Sequence, residues 1–434
     1  MIKNFLQHNR FQESVTAFEQ EDPHLRSLAA LTYQYSAKWW QAMPLDVPGI
    51  YILTGGRQVG KSTSCKLLMH DCLQQKIFAP QNLFYLPCDE VFDATMLSEL
   101  IREFLAQVST EPFLLIIDEV TFVKHWERVI KALADEGRFQ QGLCVLTGSD
   151  TLILKEAAMS FPGRRGNADQ TDFHLFPLRF AEYLHLLTKQ APSTLEEAQL
   201  RKHFDAYLLS GGYLRAINDV AEHGKVLPAT YQTYEQWIRG DFLKQGKNER
   251  TLLSLLESLL NVGVGQISYS ALTQKMGMIT RDTCLDYCHL LKRMDVLFDL
   301  PAYDQNKKRG FPKKSRKFHF VDPFICQTIY RWLQREGYVA ATLNQADLVE
   351  SVVASHCHQR GLAYYFKGKG EVDVIWLHDN HVRAIEVKWT NQVRPADLQT
   401  LKQFKDPMVL TKHPGIGNVE GVVSSSVCQF LSEM

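Results

Sequence analysis

Residues 55–62, Gly55-Gly56-Arg57-Gln58-Val59-Gly60-Lys61-Ser62, constrain this chain more than any other stretch. They satisfy the G-x-x-x-x-G-K-[ST] spacing in full, after an apolar run at 50–54 and before a stretch carrying Leu67, Leu68 and Met69. A glycine-rich turn between a strand and a helix wraps backbone N–H groups around a phosphate, and the positive end of the helix faces the same anion. Gly55 and Gly60 permit the turn. Lys61 would reach the β- and γ-phosphates of a nucleotide. Ser62, with Thr63 beside it, would supply a hydroxyl to Mg²⁺.

The pattern around this loop alternates strand and helix. Apolar runs of strand length occur at 50–54, 83–88, 113–120, 143–147 and 173–178. Continuous apolar runs fit parallel strands buried on both faces. Leu97, Leu100, Ile101, Phe104, Leu105 and Val108 recur at helical spacing between the second and third runs. The third run ends in Asp118-Glu119. Asp118 fits the carboxylate that holds magnesium, and Glu119 a base that orients water. The fourth run ends in Thr147-Gly148-Ser149, where Ser149 could sense a γ-phosphate. ATP and Mg²⁺ are therefore the expected cofactors.

At 434 residues, about two to four domains are expected. The reading is an N-terminal helical segment (1–45), a phosphate-loop core with a parallel sheet (46–180) and a helical lid (181–249). Three short helices and a hairpin at 250–335 follow the order of a winged helix, and a small α/β domain occupies 340–434. Lys and Arg together number 48, as do Asp and Glu, so no uniform basic coat exists. Residues 307–317 nevertheless read KKRGFPKKSRK without an acid. Lys307, Lys308, Arg309, Lys313, Lys314, Arg316 and Lys317 would track the phosphates of a nucleic acid, DNA being the expected partner; a solvated loop is the bland alternative. No 18-residue apolar run occurs and the nine cysteines are scattered, which points to a cytoplasmic protein with reduced thiols and no membrane partner.

Near the C-terminus, Glu371-Val372-Asp373 opens one apolar strand and Glu386-Val387-Lys388 closes the next. Alternation puts Glu386 and Lys388 on one face. The pattern resembles the PD-(D/E)XK nucleases, with valine in place of the proline. Asp373 and Glu386 would hold Mg²⁺, Lys388 would polarise water, and Glu350 on the preceding helix would match the extra acid of that fold.

Taken with the GGRQVGKST loop, LLIIDEV followed by Trp126, LTGSD, PGRRG, LFPLRFAEYL, GGY at 211–213 and KFHFVDPFI, the chain resembles bacterial and archaeal AAA+-type P-loop ATPases with a nuclease-like C-terminal domain. The resemblance covers nearly everything after residue 45. It implies an α/β, AAA+-like fold and ATP hydrolysis. Arg164 or Arg165 of PGRRG would contact a γ-phosphate in its own chain or, in a homo-oligomer, a neighbour's. Two readings stay open: an ATPase coupled to DNA binding and Mg²⁺-dependent cleavage, or an ATP-gated scaffold or signalling switch with a degenerate nuclease fold.

Overall fold

The computed structural model describes residues 1–108, 111–150, 154, 161, 163–277, 280–390, 392–414 and 421–434; Pro162 of the PGRRG run lies outside them. Two compact units divide the chain, Met1–Phe176 and Pro177–Met434.

The first unit is built on five strands, β1 (Gly49–Gly55), β2 (Leu83–Pro87), β3 (Phe113–Asp118), β4 (Gly142–Gly148) and β5 (Asp172–Leu175). Their order is β2-β3-β4-β1-β5, and every pairing is parallel. The continuous apolar runs are explained by two separate cores, one on each face. Ile50, Ile52, Leu115, Ile117, Cys144 and Leu146 face the helices Ala94–Val108 and Trp126–Asp135. Tyr51, Leu53, Leu114, Ile116, Leu143 and Val145 face the helix Lys61–Gln74 and the N-terminal segment. Alternate residues of one strand thus serve opposite cores, as the period of two requires. The stripe expected on 94–108 is the buried face of that helix, all six residues included.

The N-terminal segment is a chain of short helical turns rather than long helices. Val15–Glu21 is capped by Ser14 and Pro23–Ala29 by Asp22. Trp39 and Trp40 are buried, with indole N–H groups donating to Ser64 and Asp71 at 3.1 Å.

In the second unit, four helices fill Phe180–Thr188, Glu197–Ser210, Leu214–His223 and Pro228–Lys244. Three more follow, Glu249–Val262, Tyr269–Lys275 and Arg281–Arg293, leading into the antiparallel hairpin of β7 (Leu297–Asp304) and β8 (Arg309–Phe320), with β6 (Gln266–Ile267) paired to β8. The helices Pro323–Arg335 and Gln345–Arg360 come next, then β9 (Leu362–Lys367), β10 (Glu371–His378), β11 (His381–Lys388), β12 (Asp406–Thr411) and β13 (Val423–Ser426). All eight strands form one sheet, ordered β13-β12-β11-β10-β9-β7-β8-β6. The hairpin and the C-terminal strands are joined by a parallel bridge between Ala302 and Tyr365. The basic run is therefore mostly strand and not a loop: the turn is confined to 305–308, and residues from Arg309 onward belong to β8.

A buried carboxylate ties the helices of this unit together. Asp322 caps Pro323–Arg335 by accepting from the Phe324 N–H at 2.9 Å, and it accepts from the Gly212 N–H at 2.8 Å. Gly211 has φ of +55°, and a Cβ there would run into that carboxylate. Burial pushes Asp322 up to about 7, against the pull of its backbone donors.

Asp322→Ala is expected to destabilise the second unit by about 1–3 kcal/mol for the orphaned Gly212 N–H, with about 1 more for the lost cap. Because the folded value is raised, the stability Asp322 contributes is complete below its unfolded value of about 3.9 and is lost as pH rises through about 7. The gap between wild type and variant in denaturant melts should shrink from pH 4 to pH 7.

Candidate functional site

The phosphate loop leaves the C-terminal end of β1 through Gly55 and enters the helix Lys61–Gln74 at Gly60, which has φ of +90°. A Cβ on Gly55 would meet the Leu175 carbonyl oxygen at 2.5 Å, whereas one on Gly60 would meet nothing within 4 Å. Gly55 is demanded by close packing on β5, and Gly60 by its left-handed backbone alone. The buried Lys61 ammonium donates to the Gly55 and Gly56 carbonyls, both at 2.9 Å. Its Nζ lies 3.5 Å from Glu119.

Asp118 ends β3, buried, and accepts from the Tyr85 hydroxyl of β2 and the Thr147 hydroxyl of β4. Ser62 and Tyr85 line the same cavity as Asp118. Burial, then the Asp118 charge, raises the Tyr85 phenol well above its ordinary value, so it acts as a donor. Asp118 and Glu119 turn apart because Glu119 sits in the left-handed region at φ of 52°. Its backbone N–H donates to Thr147 at 2.9 Å; its carboxylate accepts from Ser149 N–H at 3.0 Å and Ser149 Oγ at 2.5 Å. Strand β4, inserted between β1 and β3, delivers these partners. A cavity of about 280 Å³ opens here, lined among others by Arg57, Ser62, Asp118 and Glu119. Oxygen donors at Ser62 and Asp118 suit a magnesium ion, and the free space at Gly60 suits an anion. Thr63 lies one residue further into the helix, half-buried.

Residues with no sequence signal also line this cavity, namely His8, His24 and Tyr85. Asp22 places His24, accepting from its backbone N–H at 2.9 Å, and pairs with Lys66 of the phosphate-loop helix at 3.0 Å. Lys66 Nζ donates to the His8 carbonyl at 2.6 Å and lies 3.6 Å from the centre of the Tyr85 ring. Burial lowers the Lys66 pKa, and Asp22 only partly restores it.

Arg164 and Arg165 require a correction. The Arg165 carbonyl accepts from the Ile50 N–H at 3.3 Å, at the start of β1. The phosphate loop follows the other end of that strand, five residues and about 17 Å away. Arg165 pairs with Asp172 at 2.8 Å and Arg164 with Asp135. These residues precede β5, which runs parallel to β1, so they fall at the opposite edge of the sheet from their own chain's loop.

In the second unit, antiparallel register sets residue 373 opposite 386, one step beyond the Val374–Ile385 pair. The Val387 N–H donates to Asp373 Oδ2 at 3.0 Å, and Lys388 pairs with Glu386 at 2.7 Å. Glu350 reaches the same place from the helix Gln345–Arg360. Asp373, Glu386, Lys388 and Glu350 are thus one cluster. Burial, then the Asp373 charge, pushes Glu386 up to about 7; the same two causes raise Glu350. Glu371, missed in the sequence reading although it lies two residues before Asp373, also faces the cluster. Among the described residues, no three His, Cys, Asp or Glu side chains form a ready metal site. Glu350, Glu371 and Asp373 converge on Lys317 instead.

Lys317 is the second correction. It is 1 % exposed, because it opens the stretch 317–320 over which β8 is buried throughout. Arg316 is half-buried and pairs with Asp299 at 2.7 Å. Lys307, Lys308, Arg309, Lys313 and Lys314 are exposed.

Residues 48–184 match the model of a AAA domain, 201–336 a domain of unknown function (DUF8612), and 346–422 another (DUF4143). The chain is 26% identical over 378 residues to an uncharacterized protein of Haemophilus influenzae, covering 83% of this chain and 88% of that one. It is 24% identical over 366 residues to an uncharacterized protein of Methanocaldococcus jannaschii, covering 76% and 73%. Among solved structures it is similar to the Walker-type ATPase of Pyrococcus abyssi, with TM-score 0.45, 12% identity, and 65% and 91% coverage. The phosphate loop, the parallel sheet and the family match define a P-loop ATPase domain of AAA type, a class that binds nucleotide, usually with Mg²⁺. No helix among the described residues is long and apolar enough to cross a membrane.

Lys66→Ala would leave the Asp22 carboxylate buried without its cation and is expected to cost the first unit about 3–5 kcal/mol. Replacing both residues by apolar ones should cost far less. Chemical denaturation of both variants checks the difference.

Proposed function

We propose that this protein hydrolyses ATP at the phosphate loop and uses turnover to govern how its C-terminal half engages DNA. The observation that carries the ATPase reading is Glu119: a carboxylate held by Ser149 beside the loop lysine, one residue beyond the buried Asp118. Lys61 exchanges the Gly55 and Gly56 carbonyls for β- and γ-phosphate oxygens. Glu119 accepts the proton of the attacking water, while Ser149 fixes its orientation. Ser62 and Asp118 would hold Mg²⁺, which neutralises phosphate charge when bound. Arg164 or Arg165 would serve only a neighbouring copy's site. Lys61→Ala should lower affinity for a fluorescent ATP analogue at least tenfold. Glu119→Gln should retain binding and reduce phosphate release by about 10²-fold or more. Unchanged turnover in Glu119→Gln would remove its assigned role.

The order helix, β6, helix, helix, β7, β8 supports reading 250–320 as a winged helix, with the exposed basic residues of the hairpin as its phosphate-tracking wing. Replacing Lys307, Lys308, Arg309, Lys313 and Lys314 by Glu should weaken duplex DNA binding. The log–log salt slope should fall by about 0.9 for each phosphate that the variant no longer neutralises. Equal slope and affinity would place the footprint elsewhere.

For the C-terminal cluster, Asp373, Glu386 and Glu350 supply oxygen ligands suited to Mg²⁺, with Lys388 beside them, which supports a nuclease-like site. A second reading, a DNA scaffold with a degenerate nuclease fold, is favoured by Lys317, which engages two of those three carboxylates.

A further inference from the structure

The carboxylate cluster of the second unit contains a cation of its own. Lys317 Nζ lies 2.8 Å from Glu350 Oε1, 2.9 Å from Glu371 Oε1 and 3.1 Å from Asp373 Oδ1. An ammonium group has three N–H donors; here two donate to the separate carboxylates of Glu350 and Asp373, and Glu371 adds an ion pair. The acceptors come from two elements, the helix Gln345–Arg360 and strand β10, while the lysine comes from a third, β8. Its side chain is 2% exposed. A lysine withdrawn from water this fully is stable only where paired charges replace its hydration.

The opposite side of the cluster is incomplete. Glu386 is 6% exposed, and its Oε2 is buried without a hydrogen-bond partner among the described residues. Its other oxygen takes Lys388 at 2.7 Å. Asp373 stands between the two halves: Oδ1 faces Lys317 and Oδ2 accepts from the Val387 N–H at 3.0 Å. A divalent ion ligated by Asp373, Glu386 and Glu350 would need their oxygens at about 2.0–2.1 Å for magnesium. Two of those carboxylates already direct an oxygen at the ammonium. The ion and Lys317 would share those oxygens and repel one another at short range in a poorly solvated site.

We propose that Lys317 is the resident cation of this cluster: its ammonium stands in place of a divalent ion between Glu350 and Asp373, and the cluster takes up such an ion only when Lys317 is displaced. This rests on the reading of the cluster as a divalent-cation site. It assigns Lys317 to the site as an occluding residue, and not to the phosphate-tracking face of the hairpin. Lys317 lies on the same strand as the exposed Lys313 and Lys314, so one strand carries both the outward basic face and the inward cation. Met in place of lysine keeps the length of the side chain and removes the charge. Glu350, Glu371 and Asp373 would then lack their shared counter-ion, and the vacated centre would be lined by oxygen.

The test uses the full-length, nucleotide-free chain and Mn²⁺ as the probe, read by electron paramagnetic resonance of free Mn²⁺ and by melting temperature in Mn²⁺ against chelator. Wild type should show no Mn²⁺ binding below millimolar concentration that Glu386→Gln removes. Lys317→Met should bind at least tenfold more tightly, and Mn²⁺ should raise its melting temperature by several degrees, as ligand linkage requires. Lys317→Met/Glu386→Gln should lose that gain. Wild type that binds Mn²⁺ micromolar at this cluster, with no increase in Lys317→Met, overturns the occlusion while leaving the cation-site reading intact. A folded Lys317→Met that binds no Mn²⁺ overturns both, leaving Lys317 a structural ion-pair partner. Should Lys317→Met fail to fold, the wild-type titration decides alone: tight binding that Glu386→Gln removes refutes the proposal, and its absence supports it.

Discussion

A charge removed from water has to meet an opposite charge or a set of hydrogen bonds within a few ångströms, and in both units the buried charges mark the places where separate elements are joined. Lys66 and Asp22 bind the N-terminal segment to the phosphate-loop helix. Asp322 binds the Gly211-Gly212 turn to the start of the helix Pro323–Arg335. Lys317 binds the hairpin to the C-terminal strands through three carboxylates. Each pairing spans more than 40 residues of sequence or, at Lys317, at least 33 between partners, so none follows from a local pattern.

Beside the phosphate loop the same requirement orders the carboxylates of Asp118 and Glu119. Asp118 is buried, and two hydroxyls from the flanking strands satisfy it. Glu119 is half-buried, turned away by a left-handed backbone, and held by Ser149. The pair therefore divides into a fixed carboxylate beside Ser62 and a more accessible one beside Lys61. Inserting β4 between β1 and β3 produces the division, because its end carries both Thr147 and Ser149.

Much of this was legible in the residues themselves. The loop at 55–62 and the DE pair at 118–119 announce themselves by local spacing, and the strands by runs long enough to be buried on both faces. Asp373, Glu386 and Lys388 could be grouped because antiparallel pairing of neighbouring strands is a short-range event. Tyr85 and His24 gave no signal: nothing in their neighbourhood says that β2 will lie beside β3 or that residue 24 will reach a cavity 94 residues before Asp118. The basic run misled in one respect. Charge density reports exposure on average, but β8 passes from an exposed half into a buried one, and Lys317 is the first residue of the buried half.

The sequence by itself determined the motifs available: a phosphate loop, an Asp-Glu pair at a strand end, and a Glu-x-Lys strand end. These are local motifs, and their geometry is set by backbone periods of two and 3.6 residues. Tertiary structure alone decided which charges meet. It sent Arg164 and Arg165 to the edge of the sheet away from their own loop, because β5 runs parallel to β1. It brought Lys317 into the carboxylate cluster, because β7 and β9 join the hairpin to the C-terminal strands in one sheet. Electrostatic pairing depends on distance through space, and distance through space is what a linear sequence does not carry.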